Sequence, residues 1–246
     1  MRLIAFLLAA AFAASPVQAQ KVLKNTGDEL VLRWDFNEGS GGWLASFTDY
    51  GLETGDLQRL AEIRRLPEEV DSSRYGFFLQ SMNRSDDMFM FLKRPLTHEM
   101  GLEANTRYSV TIDVELLSNA PEGCFGVGGP PAEAVTLKAG VSRIEPIPTL
   151  VGDYVDISVD KGQQVTGGRD AGVIGHIGNG RACDEAGRPF VFLHRVYHHP
   201  EVVTSRPDGT LWLLVGTDSG FEGLTQLYYY SIQVTLRPLG EATSAR

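Results

Sequence analysis

This chain of 246 residues is short of several things that would have simplified its reading. It has two cysteines, Cys124 and Cys183, and neither sits in a CxxC or Cys/His spacing. That removes zinc-ribbon and thioredoxin-like readings. It has no GxSxG elbow, no DxDxDG calcium loop and no internal repeat. Gly126-Val127-Gly128-Gly129 has no following helical pattern and no βαβ rhythm around it, which excludes a dinucleotide loop. Basic residues are outnumbered, 22 against 31 acidic, for a net charge of −9. An acidic surface without a basic stripe excludes nucleic acid as a partner. Beyond the first residues no apolar run is long enough to cross a bilayer, so the protein is not membrane-embedded.

What is present begins with MRLIAFLLAAAFAASPVQAQ. Arg2 gives a positive start, Leu3 to Ala14 an apolar stretch, and Val17-Gln18-Ala19 a small-residue cleavage site. Residues 1–19 are therefore expected to be a bacterial signal peptide. This places the protein in the periplasm or outside the cell. There an even pair of cysteines reads as a disulfide, Cys124 to Cys183. Residues 20–240 are expected to form one domain and 241–246 a disordered tail.

Strand patterns dominate that domain. Leu32, Trp34 and Phe36 share one face of an expected strand. Asn37 to Gly42 turns the chain, and Trp43 to Phe47 reads as the next strand. Thr106 to Leu117 alternates, with Tyr108, Val110, Ile112 and Val114 on one side and Arg107, Ser109, Thr111, Asp113 and Glu115 on the other. Residues 75–81 and 88–94 read as a hairpin, and 190–196 as paired with 210–216. The closing run 224–236 carries a register shift at Tyr228-Tyr229-Tyr230. A helix competes over 53–67, with Asp56 as its cap and Pro67 as its stop. About ten strands without βαβ units predict an all-β, antiparallel two-sheet sandwich, a jelly roll. In such a fold 31–36 should lie beside 226–236.

Four segments carry a resemblance. WDFNEGSGGWLASFTDY, SDDMFMFLKRPL, GCFGVGGPPAEAVTLKAG and GTDSGFEGLTQLYYYSIQVTL resemble uncharacterised secreted bacterial β-sandwich proteins, which lends no activity. More loosely, the arrangement is similar to galactose-binding-like jelly rolls that serve as carbohydrate-binding modules. That likeness implies a glycan ligand and a structural calcium, and it implies them through fold alone.

Candidate site residues follow from chemistry. Sugars stack on exposed aromatics, so Trp43, Tyr50 and Tyr197 are the ligand-binding candidates, whereas Trp34 and Trp212 read as core. Asp35 and Glu38 before the first turn, with Asp218 and Glu222 before the last strand, are the calcium candidates. Solvated turn acids are the ordinary reading of the same four. Asp86 and Asp87 form a separate acidic candidate. His194, His198, His199 and His176 lack the convergence a zinc site needs. The leading expectation is an exported, non-catalytic glycan-binding module. The alternatives are an exported hydrolase with a His/carboxylate cleft, or a periplasmic structural or interaction protein.

Overall fold

The computed structural model describes residues 20–25, 28–85, 87–184 and 187–239. The expected signal peptide, the expected tail and Asp86 lie outside the described residues.

Sixteen strands form among the described residues, the longer ones with alternating or wholly apolar faces. They are β1 (Gln20–Asn25), β2 (Leu30–Asp35), β3 (Leu44–Thr48), β4 (Tyr50–Gly51), β5 (Leu60–Arg65), β6 (Tyr75–Met82), β7 (Met88–Leu96) and β8 (Arg107–Ser118). Then come β9 (Val135–Ser142), β10 (Pro148–Val151), β11 (Tyr154–Ile157), β12 (Ala171–His176), β13 (Val191–His198), β14 (Val203–Thr204), β15 (Leu211–Ser219) and β16 (Leu224–Leu239). Every strand pairing is antiparallel.

Two sheets face each other. In the larger, β16 is flanked on one side by β8 and on the other by β6 and then β2. The smaller runs β12-β9-β15-β7-β3. Between them lie Leu32, Trp34, Ile112, Val114, Leu213, Val215, Ile232 and Val234, all buried. This is the expected two-sheet jelly-roll sandwich. The expected neighbours pair, with Trp34 opposite Ile232 and Leu32 opposite Val234. The register shift in the tyrosine run falls between Tyr229 and Ser231. Cys124 and Cys183 are joined.

Three local expectations are corrected. The 53–67 segment is not a helix: Asp56 Oδ1 accepts the Gln58 N–H at 2.9 Å, closing an Asx turn in place of a helix cap. The chain then pairs as β5 along β6, and tertiary pairing overrides the local pattern. Strands β6 and β7 are not a hairpin, because they belong to different sheets. The link between them crosses the sandwich edge, and buried Asn83 pins it by donating Nδ2–H to the Ser219 carbonyl at 2.6 Å. The 190–196 and 210–216 segments are likewise in separate sheets: β13 pairs with β8, and β15 with β7 and β9.

The outer face of the smaller sheet is also covered. A three-stranded sheet, β10-β11-β4, and the segment 157–170 lie over it. Phe89 and Phe91 on that face pack with Ile157, Val159, Ala171 and Leu214. Both faces of β7 are thus dry, as its unbroken apolar run Met88 to Leu92 requires.

Candidate functional site

Strand alternation decides which polar residues this cover traps. In β9 the odd positions Val135, Leu137, Ala139 and Val141 enter the main core. Lys138 therefore points to the outer face. In β15, Leu211, Leu213 and Val215 enter the core, so Asp218 shares that outer face with Leu214. Lys138 stands opposite Gly216, two residues from Asp218. This diagonal across the strands lets Lys138 Nζ lie 2.7 Å from Asp218 Oδ2. Neither side chain retains solvent exposure.

The cover supplies the remaining charges. Lys161, in the 157–170 segment, places its Nζ 2.7 Å from Asp218 Oδ2 and 2.7 Å from Asp49 Oδ2. Asp49 sits at the corner between β3 and β4 with φ 64, a left-handed conformation that Asp tolerates better than most residues. That corner turns the Asp49 carboxylate inward and leaves Tyr50 half-exposed. Asp87, from the crossover into β7, accepts from Gln163 Nε2 at 2.7 Å and from the Tyr154 hydroxyl at 3.4 Å. Lys138 also donates to the carbonyls of Lys161 and Thr166 at 2.9 and 3.0 Å, so its ammonium is well satisfied.

The electrostatics follow from burial and neighbours. Burial raises Asp49 above the usual carboxylate range, against the pull of Lys161. Burial, and then the nearby Asp218 carboxylate, push Asp87 up to about 6, with Lys161 opposing. Burial lowers Lys138, and Asp218 resists that change. Burial also works against charge on Lys161, but Asp218 and Asp49 together outweigh it and hold its ammonium above the ordinary lysine value. A polar cleft of about 470 Å³ opens over the cluster, lined by Asp87, Tyr154, Asp156, Asp160, Lys161 and Gln163.

The expected calcium set does not assemble. Asp35 Oδ1 accepts the Asn37 N–H at 2.9 Å, its Oδ2 faces Arg74 at 3.2 Å, and Glu38 and Glu222 are exposed. Asp218 belongs to β15 and not to the loop after it, so it lies on a different sheet from Asp35. Among the described residues, the carboxylates that converge are Asp49, Asp87 and Asp218, with oxygens within 4.8 Å of one another. Asp87 came from the separate acidic candidate. Asp49, Lys138 and Lys161 were not singled out, and only the alternation of β9 hinted that Lys138 shared a face with Asp218.

The ligand-binding candidates divide. Trp43 is 1 % exposed and packs edge-on against Trp34 at 5.5 Å between ring centres. Tyr197 is buried, its hydroxyl 3.3 Å from His199 Nδ1. Neither is a surface platform, because inward positions of their segments fill the sandwich. Tyr50 stays accessible. It lines a second cleft, of about 570 Å³, with Leu52, Thr54, Asp56, Gln58 and Arg59. The Arg59 guanidinium carbon lies 5.1 Å from the Tyr50 ring centre, and Nη1 donates to its hydroxyl at 2.7 Å. Trp212, expected in the core, is instead half-buried on the outer face, with Lys93 Nζ 5.7 Å from its ring centre.

The histidines do not converge. His194 Nε2 is 2.9 Å from Asp113 Oδ1, His198 Nδ1 is 3.1 Å from Thr111 Oγ1, and His176 Nδ1 accepts the Gly178 N–H at 3.0 Å.

No protein-family model matches the sequence. No curated protein matches it either. Among solved structures the chain is similar to TmCBM61 in complex with beta-1,4-galactotriose, at 8% identity and TM-score 0.38, over 81% of this chain and 92% of that one. It is similar to the mannan-recognising module TmCBM27, at 11% identity and TM-score 0.39, over 89% and 98%. It is also similar to the Stig cyclase Fisc from Fischerella sp. TAU, at 13% identity and TM-score 0.34, over 84% and 89%. A binding module and a cyclase thus stand side by side among these structures, and function has to be argued from the sites.

Proposed function

We propose that this protein is an exported, non-catalytic glycan-binding module, and that its binding surface is the end carrying the three-stranded sheet. The observation that carries the reading is the Tyr50–Arg59 pair. It offers an aromatic face and a fixed guanidinium in an open cleft, beside the side chains of Thr54, Asp56 and Gln58. A saccharide presents an apolar C–H face and a rim of hydroxyls, and this combination suits it. Tyr50 is opposite Val155 and Gly51 opposite Tyr154, so the cleft over Tyr154 and Gln163 borders the same small sheet.

The hydrolase reading has less support. Its histidines are dispersed. The three converging carboxylates lie within 4.8 Å of one another, and Asp49 and Asp218 are 3 % and 0 % exposed behind Lys161. A retaining glycosidase holds its two carboxyl groups about 5–5.5 Å apart with the sugar between them. Here Asp49 and Asp218 share the Lys161 ammonium, 2.7 Å from each, where such an enzyme would hold the sugar. The interaction-protein reading draws on one feature: Phe125 is fully exposed beside Val127, in a loop tied by the Cys124–Cys183 bond.

The test is retention on a panel of immobilised cell-wall and plant polysaccharides, followed by calorimetry with the oligosaccharide of the best one. Tyr50→Ala and Arg59→Ala should each weaken binding at least about tenfold, the loss of roughly 1.4 kcal/mol. Trp43→Phe and Phe125→Ser should leave it unchanged. Binding indifferent to Tyr50 and Arg59, or no retention on any glycan, overturns the proposal.

A further inference from the structure

The lysine and the aspartate at the centre of the covered cluster are placed as reactants. Lys138 Nζ lies 2.7 Å from Asp218 Oδ2, and neither side chain touches solvent. The other two hydrogens of that nitrogen go to the Lys161 and Thr166 carbonyls at 2.9 and 3.0 Å. Once the third proton has passed to the carboxylate, it is the lone pair of the nitrogen that faces Asp218. Asp218 stands opposite buried Phe89 in the sheet, and the Phe89 ring centre lies 5.0 Å from Lys161 Nζ. Water is thus excluded on the sheet side. Burial favours the neutral amine at Lys138. Burial acts on Lys161 in the same sense, but Asp218 and Asp49 outweigh it and keep that group an ammonium.

Asp87 brings a proton to the same place. It hydrogen-bonds Asp218 as the neutral partner. Gln163 and Tyr154 occupy Asp87 Oδ2, so the Oδ1 atoms of Asp87 and Asp218, which have no other partner, are the ones left to share that proton. Counted with it, two carboxylates face two ammonium groups and the covered site is neutral. A buried ion pair still bears the cost of desolvating both of its charges. Joining one pair as an amide removes those two charges and leaves Lys161 with Asp49, 2.7 Å apart.

We propose that Lys138 and Asp218 condense into an intramolecular amide, Nζ to Cγ, with Asp87 as proton shuttle and the loss of one water. Lys138 releases one proton to the paired carboxyls, where Asp218 Oδ1 takes it up. The amine then attacks Cγ. The N–C bond forms, and the C=O π pair moves onto Oδ2, where the Lys161 ammonium at 2.7 Å stabilises it. Asp87 passes its proton to Oδ1, the C–Oδ1 bond breaks, and Oδ1 leaves as water with the bonding pair. The carbonyl re-forms at Oδ2. A second proton from the nitrogen restores Asp87, and the third stays on the amide. The step needs no oxidant and no co-reactant, and holding amine and carboxyl in contact supplies the effective concentration that the two lack in solution. The product ties β9 to β15 through a covalent cross-link beneath the 157–170 segment. It shares no residue with the Tyr50–Arg59 surface, and the inference stands whether or not a glycan binds there.

The test is the mass of the full exported chain, reduced and denatured, with its N-terminus read from the same sample. The expected mass is one water below that of the sequence from that N-terminus. Digestion should then release a branched peptide joining Lys138 to Asp218. Asp87→Asn leaves both lysine bridges to Asp218 in place, so it should keep a cooperative unfolding transition and its full mass. Lys138→Met should also keep its full mass. A wild type without the water loss overturns the bond, whatever the variants do. A branch at Lys161 overturns the assignment, and so does water lost within one linear peptide as a succinimide of Asp218 and Ser219. Cross-linking in Asp87→Asn to the wild-type extent overturns the role of Asp87. Loss of glycan retention in a chain that carries the bond would sink only the glycan reading.

Discussion

The ammonium of Lys161 and the carboxylate of Asp218 lie 2.7 Å apart, although 57 residues separate them and both are almost fully buried. The contact joins the covering segment to the sheet beneath it. Desolvating two such charges is expensive, and their attraction repays it only when the remaining hydrogen bonds are also made.

That balance predicts the cost of breaking the neighbouring pair. Lys138→Met keeps the aliphatic stem but strips the ammonium from Asp218 and from the Lys161 and Thr166 carbonyls. Removing one partner of a buried pair costs about 3–5 kcal/mol. Urea unfolding should show that loss. A change within about 1 kcal/mol would mean that the pair contributes little beyond its own desolvation.

The Cys124–Cys183 bond closes a separation of 59 residues. Chain entropy assigns such a loop about 4 kcal/mol. The double variant Cys124→Ser/Cys183→Ser should unfold at a lower urea concentration by an amount approaching that figure, with an m-value that reports the looser unfolded chain. An unchanged midpoint would contradict the entropic account.

Stability should also fall with acid through His199. It borders a cavity of about 450 Å³ with Arg143, Arg169, Asp170 and Glu201, and it faces the Tyr197 hydroxyl. Burial lowers its pKa, with Asp170 and Glu201 opposing. The unfolded chain, where histidine titrates near about 6.5, then binds the proton more readily than the folded one. The contribution is present above that pH and is lost as pH falls toward the depressed folded value. His199→Gln should narrow the stability gap between pH 8 and pH 5. A gap as wide as that of the wild type would assign the acid sensitivity to other groups.

Trp34 and Trp43 meet edge-on in the core, and Phe36 packs edge-on against Trp43 at 6.3 Å. Trp34→Ala should cost about 3–5 kcal/mol, the usual range for a buried large-to-small aromatic change. Trp43→Phe should cost less, and it should shift the intrinsic fluorescence without touching glycan retention.

Much of the sandwich was legible in the residues. Alternation in 106–117 marked one dry and one wet face, and burial in β8 follows it as far as Glu115 before Leu116, Leu117 and Ser118 are all covered. The doubly apolar run Met88 to Leu92 marked a strand covered on both sides. Pairing of the first and last long strands, the shift after Tyr229 and the disulfide also agree. What failed was partner choice. Turn-forming residues between β6 and β7 are compatible with a hairpin and with a crossover between sheets, and only the position of Asn83 against the Ser219 carbonyl separates the two. The site was less legible still. Asp35, Glu38 and Glu222 were chosen because they flank turns, yet a charge at a turn reaches water unless another segment covers it.

The sequence by itself determined the strand faces and the cysteine pair, because side-chain period and composition are read directly from the residues. Only the tertiary structure decided which face of the smaller sheet would be covered. The 157–170 segment and the three-stranded sheet close over Lys138 and Asp218 and bring Asp49, Asp87 and Lys161 to them. Once water is removed, the same lysine and aspartates that would be ordinary surface charges must find partners in one another. The apolar run in β7 signals a cover, but no local pattern says which segments supply it, and that choice turned five scattered charges into a site.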